Sequence, residues 1–219
     1  MDIQQVAKRA NVSTATVSRV INGYPNVSEE KVASVRKAIS ELNYVPNNHA
    51  RNLRVGSARL FGLIVSDINN PFFPELIDAF EALAVEHGID VIFTHTNYDP
   101  KRLHSCMRRM VDRNVDAIAV MTSEVDAEAL ELASRRVPIV LMNQSSYASV
   151  YRNVPVEYQT GFSEALEHLR SLGHRDIGFI AGPLTLSSAK RRHAAWMQAM
   201  KRLKLRVRNE WVVTGDPHT

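Results

Sequence analysis

Cysteine is nearly missing from this chain: Cys106 is the only one in 219 residues. The chain can therefore close no internal disulfide and supply no thiolate metal cluster. No apolar run approaches the roughly 18 residues of a membrane span. The start, Met1-Asp2-Ile3-Gln4-Gln5, is polar where a secretory leader would carry its apolar segment. Together these absences predict a cytoplasmic protein with no membrane partner. There is also no phosphate loop, no G-x-G-x-x-G after a strand and no H-E-x-x-H, and the eight histidines fall at no ligand spacing. No metal site and no cofactor are expected, and no nucleophile–base pair speaks for an enzyme.

What is present is an uneven charge. The first sixty residues carry nine Lys and Arg against four acids, net +5, while the other 159 carry 18 against 19, net −1. The overall +4 is thus concentrated on the first quarter, the footprint of a module that touches phosphates, joined to a domain with another task.

That first quarter has helical periodicity. Ile3, Val6, Ala7 and Ala10 form one apolar stripe. Asn11 stands where a tight turn needs a left-handed residue, which Asn tolerates best after glycine. Ser13-Thr14 suits a helix start, and the spacing predicts a second helix from about Thr14 to Ile21, ended by Asn22-Gly23. Ser28 is expected to cap a third helix, with Glu29 and Glu30 in its first turn and Val32, Val35, Ile39 and Leu42 facing the core. Two short helices about a tight turn, braced by a third, make a helix-turn-helix. Its second helix would present Thr14, Ala15, Thr16, Ser18 and Arg19 to the major groove. There Thr can hydrogen-bond, Ala offers only a methyl, and Arg grips guanine O6 and N7.

The segment IQQVAKRANVSTATVSRVINGYPNVSEEKVASVRKAISELNYVPNNHARNL resembles the lactose-repressor (LacI/GalR) family of bacterial transcription regulators. The string V-A-x-x-A-x-V-S-x-x-T-V-S-R-V-I-N carries the likeness, and N-Y-x-P-N is a second match. Asn11 departs from the family's usual glycine, which the turn argument accommodates. The resemblance implies base reading by Thr14, Ala15 and Arg19, with Ser13, Thr16, Ser18, Asn22 and Tyr44 on the phosphate backbone. It further implies that residues 47–54 form a hinge helix on DNA. Asn47, Ala50 and Arg54 would then contact the duplex, and Leu53 would wedge between base steps in the minor groove. On its own, so short a segment is marginal as a helix, and the residues alone read as a linker.

From Leu60 onward, short apolar runs alternate with amphipathic stretches. Strands are expected at 60–65, 91–94, 117–121, 138–142, 150–154, 177–180 and 211–214, and helices at 74–87, 103–113, 128–135, 158–172 and 188–203. This alternation gives a doubly wound parallel sheet whose ligands bind beyond the strand carboxyl ends. "SDINNPFF", "LGHRDIGFIAGP" and R-x-A-A-W resemble the effector-binding core of the same family, related to periplasmic sugar-binding proteins. By that likeness Phe72, Phe73, Asn143, Ser188 and Arg192 are ligand candidates, with Asp67 and Asn97 behind them. One of the two phenylalanines reads equally well as a core-packing staple at a helix start.

The expected architecture is an all-α helix-turn-helix domain (1–46), a hinge or linker (47–59), and an α/β doubly wound, periplasmic-binding-protein-like core. That core has a first subdomain (61–156) and the start of a second (157–219), incomplete because the family's members are longer. The resulting expectation is a bacterial, nucleoid-associated regulator, a repressor, that binds a pseudo-palindromic operator in double-stranded DNA as a homodimer under control of a sugar-like effector. Two alternatives stay open: a DNA-binding fragment without effector response, and a sugar-binding module whose DNA domain is vestigial.

Overall fold

The computed structural model describes residues 2–44 and 57–215. The chain divides into two compact units, Met1–Gly56 and Ser57–Thr219. Among its described residues the first holds three helices: α1 (Ile3–Ala10), α2 (Thr14–Ile21) and α3 (Glu29–Glu41). Asp2 and Gln5 close a capping box at the start of α1: the Asp2 carboxylate accepts from the Gln5 N–H, and the Gln5 side chain accepts from the Asp2 N–H. Asn11 ends α1 at φ 53°, ψ 44°, the left-handed geometry that the turn requires. Val6, Ala7, Ala10, Val17, Val35 and Ala38 form a small core, and the Ser34 hydroxyl donates to the Ala10 carbonyl across it (3.0 Å). Ser28 occupies the N-cap position of α3 but makes no side-chain cap bond. The acidic pair Glu29-Glu30 in the first turn remains favourable against the helix dipole.

The second unit opens with β1 (Leu60–Val65) and continues through α4 (Phe72–Glu86), β2 (Asp90–His95), α5 (Pro100–Asp112), β3 (Ala117–Met121), α6 (Ala127–Ser134), β4 (Ile139–Met142) and β5 (Arg152–Val154). All pairings in this sheet are parallel, in the order β2-β1-β3-β4-β5. Alternate residues of β1 serve opposite faces. Ile64 joins Ile118, Val120 and Leu141 under α5 and α6, while Leu63 and Val65 join Ala119 and Phe73 under α4. Gly62 lies on the α5 side, where a Cβ would come within 3.0 Å of Met110 Sδ, so glycine permits the close approach of strand and helix.

A second, two-stranded parallel sheet pairs β6 (Phe179–Ala181) with β7 (Val212–Thr214). It is flanked by α7 (Tyr158–Ser171) and α8 (Ser187–Arg202). Trp196, buried, stacks on Phe179 at 5.2 Å and 13°, above Leu166, Ala199 and Met200. Ile180 and Val213 remain exposed on these strands, consistent with a second subdomain that is incomplete. Among the described residues no helix is long and apolar enough to cross a membrane.

Candidate nucleic-acid interface and ligand cleft

The start of α2 is held by its own hydroxyls. The Ser13 Oγ accepts from the Thr16 N–H (3.1 Å) and lies 3.0 Å from Thr16 Oγ1, which satisfies an orphan donor of the first turn. Ser13 and Thr16 are therefore engaged in the helix cap, and Thr14 and Ala15 are left exposed with Arg19 one turn on. At the other end the Asn22 amide donates to the Ser18 carbonyl (2.6 Å), so Asn22 and Ser18 brace the helix terminus. Tyr44 is partly buried and packs on the small core. Lys8, Lys31, Arg36 and Lys37 are exposed around the bundle, and Arg9 pairs with Glu41. Asn47, Ala50, Leu53 and Arg54 lie outside the described residues.

Two side chains not expected from the sequence share the exposed face of α2. Tyr24 and Asn26, in the loop after the helix, line one concavity with Ala15, Ser18 and Arg19. The signal that would have found Tyr24 is an aromatic residue in a turn, between Gly23 and Pro25, with no apolar stripe to join.

In the second unit the carboxyl ends of β1, β2 and β3 meet in a buried hydroxyl cluster. The Ser66 hydroxyl donates to Thr122 Oγ1 (3.1 Å), and Thr96 Oγ1 lies 3.3 Å from the same atom. Asp67, buried, accepts from the Asn69 backbone and side-chain N–H groups through Oδ1. Asn97 and Tyr98 follow β2 with φ of 54° and 57°, two successive left-handed non-glycine residues. Backbone strain of that kind gathers at binding sites. Tyr98 was not among the expected residues. Burial pushes its phenol above the ordinary value and the Asp67 charge adds to this, against the hydrogen bond with Asn70 and the Arg192 charge. The hydroxyl therefore stays protonated at neutral pH and carries its hydrogen bond with Asn70 as a neutral group.

Of the two phenylalanines, Phe73 belongs to the core (7 % exposed) and Phe72 is the exposed ring (52 %), the pair meeting edge-to-face at 5.2 Å. The expectation of Phe73 as a ligand contact thus meets a core residue, because α4 begins at Phe72 and turns the next ring onto Leu63 and Val65. Asn143 adopts φ 58° after β4 and donates its amide to the Tyr158 hydroxyl (2.8 Å). Gln144 donates to the Thr122 carbonyl (2.7 Å). From the other side, Arg192 lies over Gly182, where a Cβ would come within 3.1 Å of its guanidinium. Ser188 is partly buried beside it in α8.

The two sheets touch through the first turn of α8. The Ser187 N–H donates to Glu124 Oε1 (2.8 Å), and the Ser187 hydroxyl donates to the Ser123 carbonyl. Leu186, at the N-cap position, supplies no side-chain acceptor, so a carboxylate from beyond β3 fills that role. Asp67, Asn70, Tyr98 and Arg192 are brought together between the two sheets. Ser188, in the first turn of α8, and Asn143, just after β4, have no mutual bond among the described contacts. Such a polar cleft with one exposed ring suits a small hydroxylated ligand. Among the described residues no group of His, Cys, Asp and Glu could hold a metal ion.

Comparison with known proteins bears on both sites. Residues 2–47 match the model of bacterial regulatory proteins of the lacI family. Residues 58–219 match that of periplasmic binding proteins and the sugar-binding domain of the LacI family. The HTH-type transcriptional repressor PurR of Actinobacillus pleuropneumoniae serotype 5b (strain L20) is 34% identical over 215 residues, and that of Serratia proteamaculans (strain 568) 36% over 219. Each alignment takes in 98% of this chain and 64% of the relative, so the chain spans about 64% of the length of these curated relatives. Among solved structures, the lac repressor dimer bound to operator and the anti-inducer ONPF superposes with a TM-score of 0.85 at 26% identity, covering 99% of this chain and 66% of that one. The transcriptional regulator CelR–cellobiose complex gives 0.58 at 25%, with the same coverage.

Proposed function

The chain belongs to the lacI family of bacterial regulatory proteins, and from that premise we propose that it is a sequence-specific, effector-controlled transcription repressor, with α2 as its reading helix. The observation that carries this is the division of labour along α2. Ser13, Thr16, Ser18 and Asn22 fix the two ends, and Thr14, Ala15 and Arg19 are left exposed on one side. In the major groove Arg19 takes a guanine edge, Ala15 makes methyl contact, and Thr14 bonds or touches a base as the operator requires. Ser13, Thr16, Ser18, Asn22 and Tyr44 supply backbone contacts at the rim, where a hydroxyl or amide can still reach a phosphate. Asn47, Ala50 and Arg54 extend the contact, and Leu53 acts as a wedge that unstacks a base step in the minor groove. Half-site reading by so small a unit is weak, so a homodimer on a pseudo-palindromic operator belongs to the proposal.

Control comes from the second unit. A sugar or sugar derivative lies between the two sheets, with Asp67, Asn97 and Asn143 from one side and Ser188 and Arg192 from the other. Phe72 gives an apolar face. Tyr98 and Asn70 join this set. Because the ligand touches both sheets, it binds one cleft arrangement more tightly than the other, and operator affinity follows that population. The CelR structure with cellobiose is a relative that favours this class of effector.

The test is a selection of random duplexes by the protein, followed by titration of the enriched site at several salt concentrations. Wild type is expected to enrich a pseudo-palindrome and to lose affinity linearly in log salt. Arg19→Ala and Leu53→Ala are expected to weaken it, and unchanged affinity in both variants for every enriched site would overturn the reading. Calorimetric titration with sugars, nucleosides and sugar phosphates separates an effector-responsive regulator from a DNA-binding fragment, for which none gives heat.

A further inference from the structure

We infer that Tyr24 is a specificity-determining residue of the DNA-reading face, forming with Ala15 and Arg19 a seat for the C5 methyl of a thymine next to the guanine that Arg19 contacts. This rests on the reading role proposed for α2.

The first support is the exposure of the ring. Tyr24 is 62 % exposed and is the one exposed large apolar side chain among the described residues of the first unit. A single exposed ring is ordinary on a protein surface, so its exposure makes the ring reachable by a duplex, and its placement and surroundings give it a role. The second support is its fixed placement. The Tyr24 N–H donates to the Arg19 carbonyl (3.1 Å) and the Gly23 N–H to the Val20 carbonyl (3.1 Å). With Gly23 at φ 68°, these two bonds complete a Schellman closure of α2. Pro25 then restricts the backbone of Tyr24 from the other side. The backbone that carries the ring is thereby tied to the turn of helix that carries Arg19.

The third support is the chemistry of the concavity, about 530 Å³, that Tyr24 lines with Ala15, Ser18, Arg19 and Asn26. Its Ala15 methyl and Tyr24 ring are apolar, and its Arg19 guanidinium is the strongest donor. In the major groove only thymine displays a methyl, and only guanine offers the O6/N7 pair that matches a guanidinium fork. A seat with an apolar wall beside that fork fits a thymine–guanine step. It discriminates against cytosine in the same place, because the missing methyl would leave an unfilled gap.

The test uses the wild-type protein's own enriched duplex, with each thymine replaced in turn by deoxyuridine. That change deletes the C5 methyl and alters no hydrogen-bonding edge. In each half-site a single replacement at one position is expected to weaken wild type about fourfold, the value of one buried methyl group. The same replacement should change Tyr24→Ala binding by less than about 1.5-fold, while Tyr24→Phe keeps the wild-type sensitivity. If no deoxyuridine effect depends on residue 24, the inference is wrong while the role of α2 stands. It is equally wrong if Tyr24→Ala weakens all sequences alike and lowers the salt dependence, which marks a phosphate contact. If wild type enriches no sequence from the random pool, the reading role fails and the inference falls with it.

Discussion

Replacing Glu124 by Ala removes the one side-chain acceptor seen at the N-terminus of α8, and the size of the effect follows from the geometry. The carboxylate accepts from the Ser187 N–H at 2.8 Å, and Leu186 at the N-cap position makes no side-chain bond. A cap of this kind contributes about 1 kcal/mol, and a charged acceptor adds roughly 0.3–1 kcal/mol against the helix dipole. Both partners are partly exposed, so the lower end applies. Glu124→Ala is therefore expected to cost about 1 kcal/mol, which in a unit of this size lowers Tm by about 2–4 °C. Glu124→Gln keeps an acceptor and loses only the charge, so it should cost about 0.3 kcal/mol. Ser187→Ala removes the separate bond to the Ser123 carbonyl at about 0.5–1.5 kcal/mol. The double variant should lose less than the two single losses combined, because both bonds join the same two segments. Scanning calorimetry, with Trp196 fluorescence reporting on the α8 side, measures all four proteins. An unchanged Tm for Glu124→Ala, or equal losses for Gln and Ala, would refute the capping argument.

Further outcomes follow from single residues. Asp116 is held below the ordinary carboxylate value: its burial opposes ionisation, but bonds from the Ala58, Arg59 and Leu60 N–H groups and the Ser57 hydroxyl outweigh it. A lowered folded value stabilises the protein above the unfolded carboxylate pKa of about 3.9 and is lost as pH falls through the folded value. Urea midpoints for Asp116→Asn should therefore lie below wild type at neutral pH and converge with it below about pH 4. Phe73→Ala should cost about 3–5 kcal/mol by chemical denaturation, against less than about 1 kcal/mol for the exposed Phe72. Asn11→Ala places an alanine at φ 53° and should speed hydrogen exchange at the Val12 N–H, which donates to the Ala7 carbonyl, by about fivefold. Asn11→Gly should leave that rate near wild type.

Local features were the legible ones. α2 runs over Thr14–Ile21 as its spacing predicts, because the cap residue, the apolar stripe and the Asn22-Gly23 stop all act within ten residues of one another. β1 likewise declares itself as an unbroken apolar run. Ser28 shows the limit of such reasoning: it stands at the N-cap with the right dihedrals and still makes no cap bond. Which of Phe72 and Phe73 turns inward depends on how α4 lies on β1, a tertiary fact that adjacent identical residues do not encode. Glu124 and Ser187 meet across 63 positions of sequence, and Tyr98 draws in Asp67 and Asn70 from one loop and Arg192 from a distant helix. Contacts of that range leave no periodicity to read. Tyr24 escaped for another reason: an aromatic residue in a turn has no helical or strand pattern to mark it.

The proposed operator reading by α2 rests above all on Arg19 gripping a guanine from the major groove, and methylation interference on the enriched duplex tests this most directly. A methyl on guanine N7 blocks one arm of the bidentate contact. One guanine per half-site should therefore interfere with wild-type binding and cease to interfere with Arg19→Ala, while methylation at the remaining guanines affects both proteins alike. Identical interference patterns for the two proteins would contradict the claim that α2 reads the operator through Arg19.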